Sequence, residues 1–152
     1  MEFIILSIFP EFVESVFKFG IIRRACEAGK LTYLVVNPRD FATDKHKSVD
    51  DVAYGGGPGM VLKCEPIFAV WDWLQAENRL KENRRFIHLT PRGTLFTHEV
   101  AERLAKLDQI ILLCGRYEGI DERVVDALID EEISIGDYVL SGGDIPAMVI
   151  VD

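Results

Sequence analysis

The chain lacks any long apolar run. Its hydrophobic stretches are all short, and none approaches the ~20 residues a helix needs to cross a bilayer, so no membrane span is expected. Paired cysteines are missing too: Cys26, Cys64 and Cys114 are three, odd in number and far apart. That argues against a disulfide framework and a zinc site, and for a reducing, cytoplasmic setting. Positive charge is short. Lys and Arg number 17 against 25 Asp and Glu, a formal net charge of −8. Taken alone this speaks against nucleic acid, although a local basic strip is enough to bind a phosphate backbone. No basic region precedes Phe3-Ile4, and Pro10-Glu11 follows the apolar run at once, so the start reads as a strand and not a signal peptide. Two nucleotide motifs are also absent. No Gly-Lys-Ser/Thr follows a glycine loop, which excludes a P-loop, and the glycine spacing does not fit a dinucleotide fingerprint.

What is present suits one globular domain of 152 residues, 49% of them hydrophobic. Phe3 to Phe9 predicts a strand and Glu11 to Ala28 a helix, weakened at Gly20 and ended by Gly29. Leu31 to Val36 is a β-branched strand closed by Pro38. Glu65 to Lys81 predicts a helix on which Trp71 and Trp73 cannot share a face, so one belongs to the core and the other near an interface. Arg85 to Leu89 is a third strand, stopped by Thr90-Pro91-Arg92-Gly93. Thr97 to Leu107 is a helix capped by Thr97. Ile110 to Cys114 is a fourth strand, apolar throughout, and Asp121 to Ile129 a fourth helix. Acidic Asp130-Glu131-Glu132 leads into a fifth strand region, in which Tyr138-Val139-Leu140 reads as a buried segment. Asp144 then caps a last helix with Pro146 in its first turn. Strands alternating with helices, several of them continuously apolar, define an α/β fold with a parallel sheet flanked by helices on both faces.

Ligands of such sheets sit beyond the carboxyl ends of the strands. Three successive strands end in glycine-bearing loops: Thr90 to Gly93, Gly115 to Gly119, and Ser141 to Gly143. One pocket built from three loops follows, walled by backbone and apolar side chains, which suits a flat, uncharged ring such as adenine. The Ser141 to Gly143 stretch also has a plainer reading as a tight turn between strand and helix. The long connection Phe41 to Cys64 carries Asp44-Lys45-His46-Lys47-Ser48 and ends in Tyr54-Gly55-Gly56-Gly57-Pro58-Gly59-Met60. It is either a flexible surface loop or a backbone that touches a ligand. His88 and His98 read as structural, one in a strand and one in a helix's first turn.

The run Cys114-Gly115-Arg116-Tyr117-Glu118-Gly119-Ile120-Asp121-Glu122-Arg123 and the run Ser134-Ile135-Gly136-Asp137-Tyr138-Val139-Leu140-Ser141-Gly142-Gly143 resemble those of the bacterial tRNA (guanine-N1)-methyltransferases. Pro38-Arg39-Asp40 and Tyr54 to Met60 match the same family in the same order, so the resemblance covers essentially the whole chain. It implies a SPOUT-type fold with a deep C-terminal trefoil knot, a homodimer, and S-adenosyl-L-methionine bound in the knot. It implies a methyl transfer to N1 of the guanosine 3′ of the anticodon in tRNA. Carried over by position, Leu89, Thr90, Pro91, Gly115, Ile135, Gly136, Asp137, Tyr138, Val139, Leu140, Gly142, Gly143 and Pro146 line the cofactor pocket. Thr90 stands where a serine is common. Arg116 and Glu118 would lie near the target guanine, and Tyr54, Gly55 and Gly59 on the tRNA side. Glu118 reads equally as a base or as a structural acceptor. The family's catalytic aspartate, its arginine and its C-terminal tRNA-binding domain would lie beyond Asp152. Residues 1–152 are thus expected to be one S-adenosylmethionine-binding domain, an N-terminal fragment that binds cofactor with little or no turnover. The family also suggests a divalent cation such as magnesium, though no clustered ligands are visible. A dimerising cofactor-binding module is the alternative. A flavodoxin-like nucleotide binder is disfavoured, since Ser7-Ile8-Phe9-Pro10 offers no phosphate grip.

Overall fold

The structure is a computed structural model that describes residues 1–53, 58–116 and 118–152. Five strands form its main sheet: β1 (Glu2–Leu6), β2 (Thr32–Val36), β5 (Arg84–Leu95), β6 (Gln109–Cys114) and β7 (Glu131–Ser134). Their order is β2-β1-β6-β5-β7, and every neighbouring pair is parallel. Between β2 and β5 lie a short antiparallel hairpin, β3 (Asp50–Val52) with β4 (Met60–Leu62).

The central strand explains the two-layered core. Every residue of β6 is buried. Ile110, Leu112 and Cys114 face one apolar cluster, built with Val13, Phe17, Leu104 and Ile150. Ile111 and Leu113 face the other, built with Ile67, Val70, Leu74 and Val124. A strand covered on both faces has no use for polar alternation, which is why its sequence is apolar without interruption. Helices α1 (Pro10–Glu14), α2 (Gly20–Glu27), α4 (His98–Leu104) and α6 (Asp144–Val151) serve the first layer. Helices α3 (Cys64–Ala76) and α5 (Glu122–Leu128) serve the second. No helix of the described residues is long and apolar enough to cross a membrane.

Several expectations are corrected. The single helix Glu11 to Ala28 is three pieces: α1, a 3-10 turn Ser15–Lys18, and α2. Gly20 adopts φ +60°, which no interior helical residue can hold, so the chain re-enters the helix in a new direction. Strand β5 does not end at Thr90. It pairs Leu89 with Ile133, bulges, and pairs Thr94 with Ile133 and Leu95 with Ser134. Gly93 makes this possible, because a Cβ there would lie 2.5 Å from the Glu132 carbonyl carbon. Tyr138-Val139-Leu140 is not a buried strand. β7 stops at Ser134, whose hydroxyl donates to the Gly136 carbonyl (2.9 Å) and accepts from the Gly136 N–H (3.2 Å). All three apolar side chains that follow are exposed. Asp144 does not cap α6: the cap position is Gly143, without a side-chain bond. Thr97 does cap α4, accepting from the Val100 N–H. Both tryptophans are half-buried. Trp71 stacks on Phe86 at 5.4 Å and Trp73 tilts against Phe41 at 5.6 Å.

Candidate functional site

The bulge of β5 and the carboxyl ends of β6 and β7 converge on one pocket of about 460 Å³. Glycines let the loops after β6 and β7 meet. The chain after β7 returns to the end of β6, where Gly142 pairs antiparallel with Arg116 and the Gly143 N–H donates to the Gly115 carbonyl at 2.8 Å. A Cβ on Gly143 would stand 2.8 Å from the Cys114 Cα and 2.9 Å from the Gly115 nitrogen. Both neighbours are backbone and cannot rotate away, so this approach requires glycine.

Beneath the loops lies a polar clasp that joins three elements. Asp144, 1% exposed, accepts from Arg116 Nε at 2.9 Å and pairs with Arg116 Nη2 at 2.6 Å. Its other oxygen accepts from the hydroxyl of buried Ser7, just past β1. The same guanidinium donates to the Ser141 carbonyl at 3.3 Å and lies over the Phe9 ring at 4.5 Å. A buried carboxylate needs such partners, and the charge-assisted bonds hold the loop ends of β1, β6 and α6 in fixed relation. Arg116 thus engages all three of its guanidinium nitrogens within the site.

Deeper in the pocket wall, His88 is 4% exposed. Its Nδ1 lies 2.8 Å from Glu132 Oε1, on the β7 residue directly opposite. Burial lowers its pKa below the usual histidine value, outweighing the upward pull of Glu132. The ring is neutral at pH 7, with Nδ1–H donating to the carboxylate. Cys114, at the end of β6, is enclosed, and burial raises its thiol well above the ordinary range; it is not a nucleophile at neutral pH.

Of the expected cofactor residues, Leu89, Thr90, Pro91, Gly115, Ile135, Gly136, Tyr138, Val139, Leu140, Gly142, Gly143 and Pro146 line the pocket; Asp137 does not. Arg116 and Glu118 line it as well. Tyr54 and Gly55 lie outside the described residues. Gly59, with φ +92°, approaches the Glu118 side chain so closely that a Cβ would overlap it. The backbone explains the contact: the Glu118 N–H donates to the Met60 carbonyl at 2.8 Å, next to the Leu62–Ile120 bridge. The long connection thus reaches the pocket rim through β4. Of the basic residues, Arg84 and Arg85 begin β5 and Arg92 lies toward its far end. His88, Ser141 and the Ser7–Asp144 contact were missed. Asp144 looked like a helix cap, and a partner 137 residues away leaves no local sequence signal.

Fold and pocket together define a doubly covered parallel α/β domain with a small-molecule-sized pocket at the carboxyl edge of its sheet, walled by backbone and apolar side chains. The chain belongs to the tRNA (Guanine-1)-methyltransferase TrmD family, whose model matches residues 1–152. It is 47% identical over 152 residues to the tRNA (guanine-N(1)-)-methyltransferase of Francisella tularensis subsp. holarctica. It is 50% identical over 153 residues to the one of Thermotoga petrophila. All of this chain is covered in both, and it spans 60% of each relative's length. The crystal structure of the tRNA (m1G37) methyltransferase from Aquifex aeolicus superposes with a TM-score of 0.88 at 39% identity, covering 100% of this chain and 67% of that one.

Proposed function

We propose that this chain is the S-adenosyl-L-methionine-binding part of an enzyme that methylates N1 of the guanosine 3′ of the anticodon in tRNA. Family membership supports the reaction class. The observation that carries the cofactor reading is the meeting of two glycine-bearing loops, after β6 and after β7, with the β5 bulge on one pocket of about 460 Å³. Its volume lies within the usual range for small-molecule sites. Close-approaching backbone at Gly115, Gly142 and Gly143, with Leu89, Leu140 and Pro146 as apolar walls, fits a flat base with polar edges. When bound, the cofactor supplies an electrophilic methyl group on a sulfonium sulfur.

The residues of this chain then divide the work. The loops hold the donor and exclude water from it. Asp144 keeps Arg116 and the Ser141 to Gly143 loop in place, so the pocket is formed before anything enters. N1 of guanine is a weak nucleophile until a base takes its proton. Glu118 stands exposed at the pocket rim and is the carboxylate of this chain suited either to that task or to holding ribose hydroxyls. In our reading the chain alone binds cofactor with little or no turnover.

The path of the chain supports a SPOUT-type trefoil knot. After β7 it folds back over the end of β6 at Gly142 and Gly143 and then enters α6 beside β1. A homodimer is supported by apolar side chains left exposed on packed α1 and α6 and just before α1, namely Phe9, Phe12, Ile145 and Val149. Free cysteines throughout accord with a cytoplasmic setting.

The test is calorimetric titration with S-adenosyl-L-methionine, beside a Gly142→Val variant, in which the new side chain meets Arg116 Cδ at 2.6 Å from its Cβ. Saturable binding by the wild type that the folded variant loses is the expected result. A folded wild type that binds nothing overturns the cofactor reading. Methylation of anticodon guanosine by this chain at the rate of its longer relatives overturns the low-turnover reading.

A further inference from the structure

Among the mostly apolar strands of the sheet, β5 carries one buried histidine, and that histidine is only half satisfied. His88 gives its Nδ1–H to Glu132 at 2.8 Å. Its other nitrogen has no hydrogen-bond partner among the described residues. Yet no fully enclosed side-chain nitrogen or oxygen among those residues lacks a partner. With His88 only 4% exposed, Nε2 is left facing the pocket that His88 helps to line. The reason it can do so is Gly115: a Cβ there would stand 3.2 Å from Nε2, covering it. An acceptor open only to the pocket loses its water when a ligand fills that pocket, which costs free energy unless the ligand donates to it.

We propose that His88 is a specificity-determining residue of the pocket, fixed by Glu132 so that its Nε2 lone pair accepts a hydrogen bond from an N–H or O–H of the bound molecule through the gap left by Gly115. The inference rests on the cofactor reading above and deepens it. On that reading the donor is the exocyclic amine of the base or a ribose hydroxyl of the adenosyl group. Glu132 acts through His88: it selects the tautomer and orients the ring, in the way carboxylates orient metal-binding and catalytic histidines. A site that presents an acceptor rejects analogues that place an acceptor or nothing there, because its buried lone pair is then left unpaired.

The test uses the chain with ¹⁵N-labelled histidine and S-adenosylhomocysteine as probe. In the free protein His88 should show one protonated nitrogen and one bare nitrogen, and saturation should move the bare resonance upfield. His88→Phe should weaken the probe about tenfold, the loss of about one net hydrogen bond, while His88→Gln, which can present an amide oxygen near the same place, keeps most of the affinity. S-inosylhomocysteine, with a carbonyl in place of the amine, separates the two donors: a loss matching His88→Phe assigns the amine, and unchanged affinity assigns a ribose hydroxyl. Binding by the wild type with no movement of the bare nitrogen overturns this inference and leaves the cofactor reading standing. Absence of binding by the folded wild type overturns both. The resonance readout is independent of how well the variants fold.

Discussion

Strand β6 and the loop just past it are built on opposite principles. From Gln109 to Cys114 every side chain is buried, and order comes from filled volume. From Gly115 onward order comes from missing volume, since Gly143 lets backbone meet backbone while Gly115 and Gly142 leave room for the His88 and Arg116 side chains. The interior therefore holds stability, and the edge holds the shape of the pocket. A substitution in the first should cost folding free energy and leave the binding of folded molecules alone. One in the second should cost less folding free energy and more binding.

The largest effect should come from the interior. Phe86 is 1% exposed and stacks on Trp71. Phe86→Ala should destabilise by about 3–5 kcal/mol through lost transfer energy and the cavity left behind, read from urea unfolding. On the proposed cofactor reading, its folded fraction should bind S-adenosyl-L-methionine with the wild-type affinity. Cofactor affinity falling in step with stability would break the separation of the two regions.

Gly143→Ala tests the edge. The added methyl meets the Cys114 Cα at 2.8 Å, and overpacking of this kind costs about 1–3 kcal/mol. Because the strain is relieved by moving the Ser141 to Gly143 loop, calorimetry should find cofactor binding lost in a protein that still folds. Retained affinity would mean that the close approach serves the fold alone.

Asp144→Asn sharpens the comparison at the border between the two. The amide keeps the shape and can still bond both Ser7 and Arg116, but it gives up the charge. Replacing charge-assisted bonds by neutral ones should cost about 1 kcal/mol, with a modest loss of cofactor affinity as the Arg116 side chain loosens over Gly142. An unchanged midpoint in urea would show that the clasp contributes geometry without energy.

The same contrast explains what the sequence made legible. The doubly covered sheet was readable because β6 and β1 are continuous apolar runs, and an apolar run between turn signals has few other uses. The pocket was readable because Gly115 sits just after β6 and Gly142 and Gly143 sit just before the last helix. The Tyr138 to Leu140 segment was misread for the same reason in reverse: apolarity was taken as burial, where a Ser134 hydroxyl had already ended the strand. The clasp and the His88–Glu132 pair join residues far apart in sequence, 44 apart for the latter. Such pairs are set by strand order, and no local pattern records it.

The smallest predicted effect is a pH dependence carried by the pocket wall. His88 is held neutral by burial, reinforced by Arg92 and opposed by the Glu132 hydrogen bond and charge and by Glu122, so its folded pKa lies below the ordinary value near 6.5. Below that ordinary value the unfolded chain takes up a proton at His88 that the folded chain does not, and protons then favour unfolding. The contribution of His88 is thus fully present above about pH 6.5 and is lost as pH falls toward the folded value. Asp121 acts in a separate window. Its carboxyl is held low, first by the Arg123 hydrogen bond, so its contribution is present above the ordinary value of 3.8 and is lost only in more acid solution. Urea midpoints measured between neutral pH and pH 5 should therefore decline gently in the wild type. In His88→Phe, which has no proton to take up in either state, the His88 part of that slope should vanish. A slope unaltered by the substitution would mean that burial does not lower the pKa of His88, and the pocket would then face a donor below about pH 6.5 where the structure presents an acceptor.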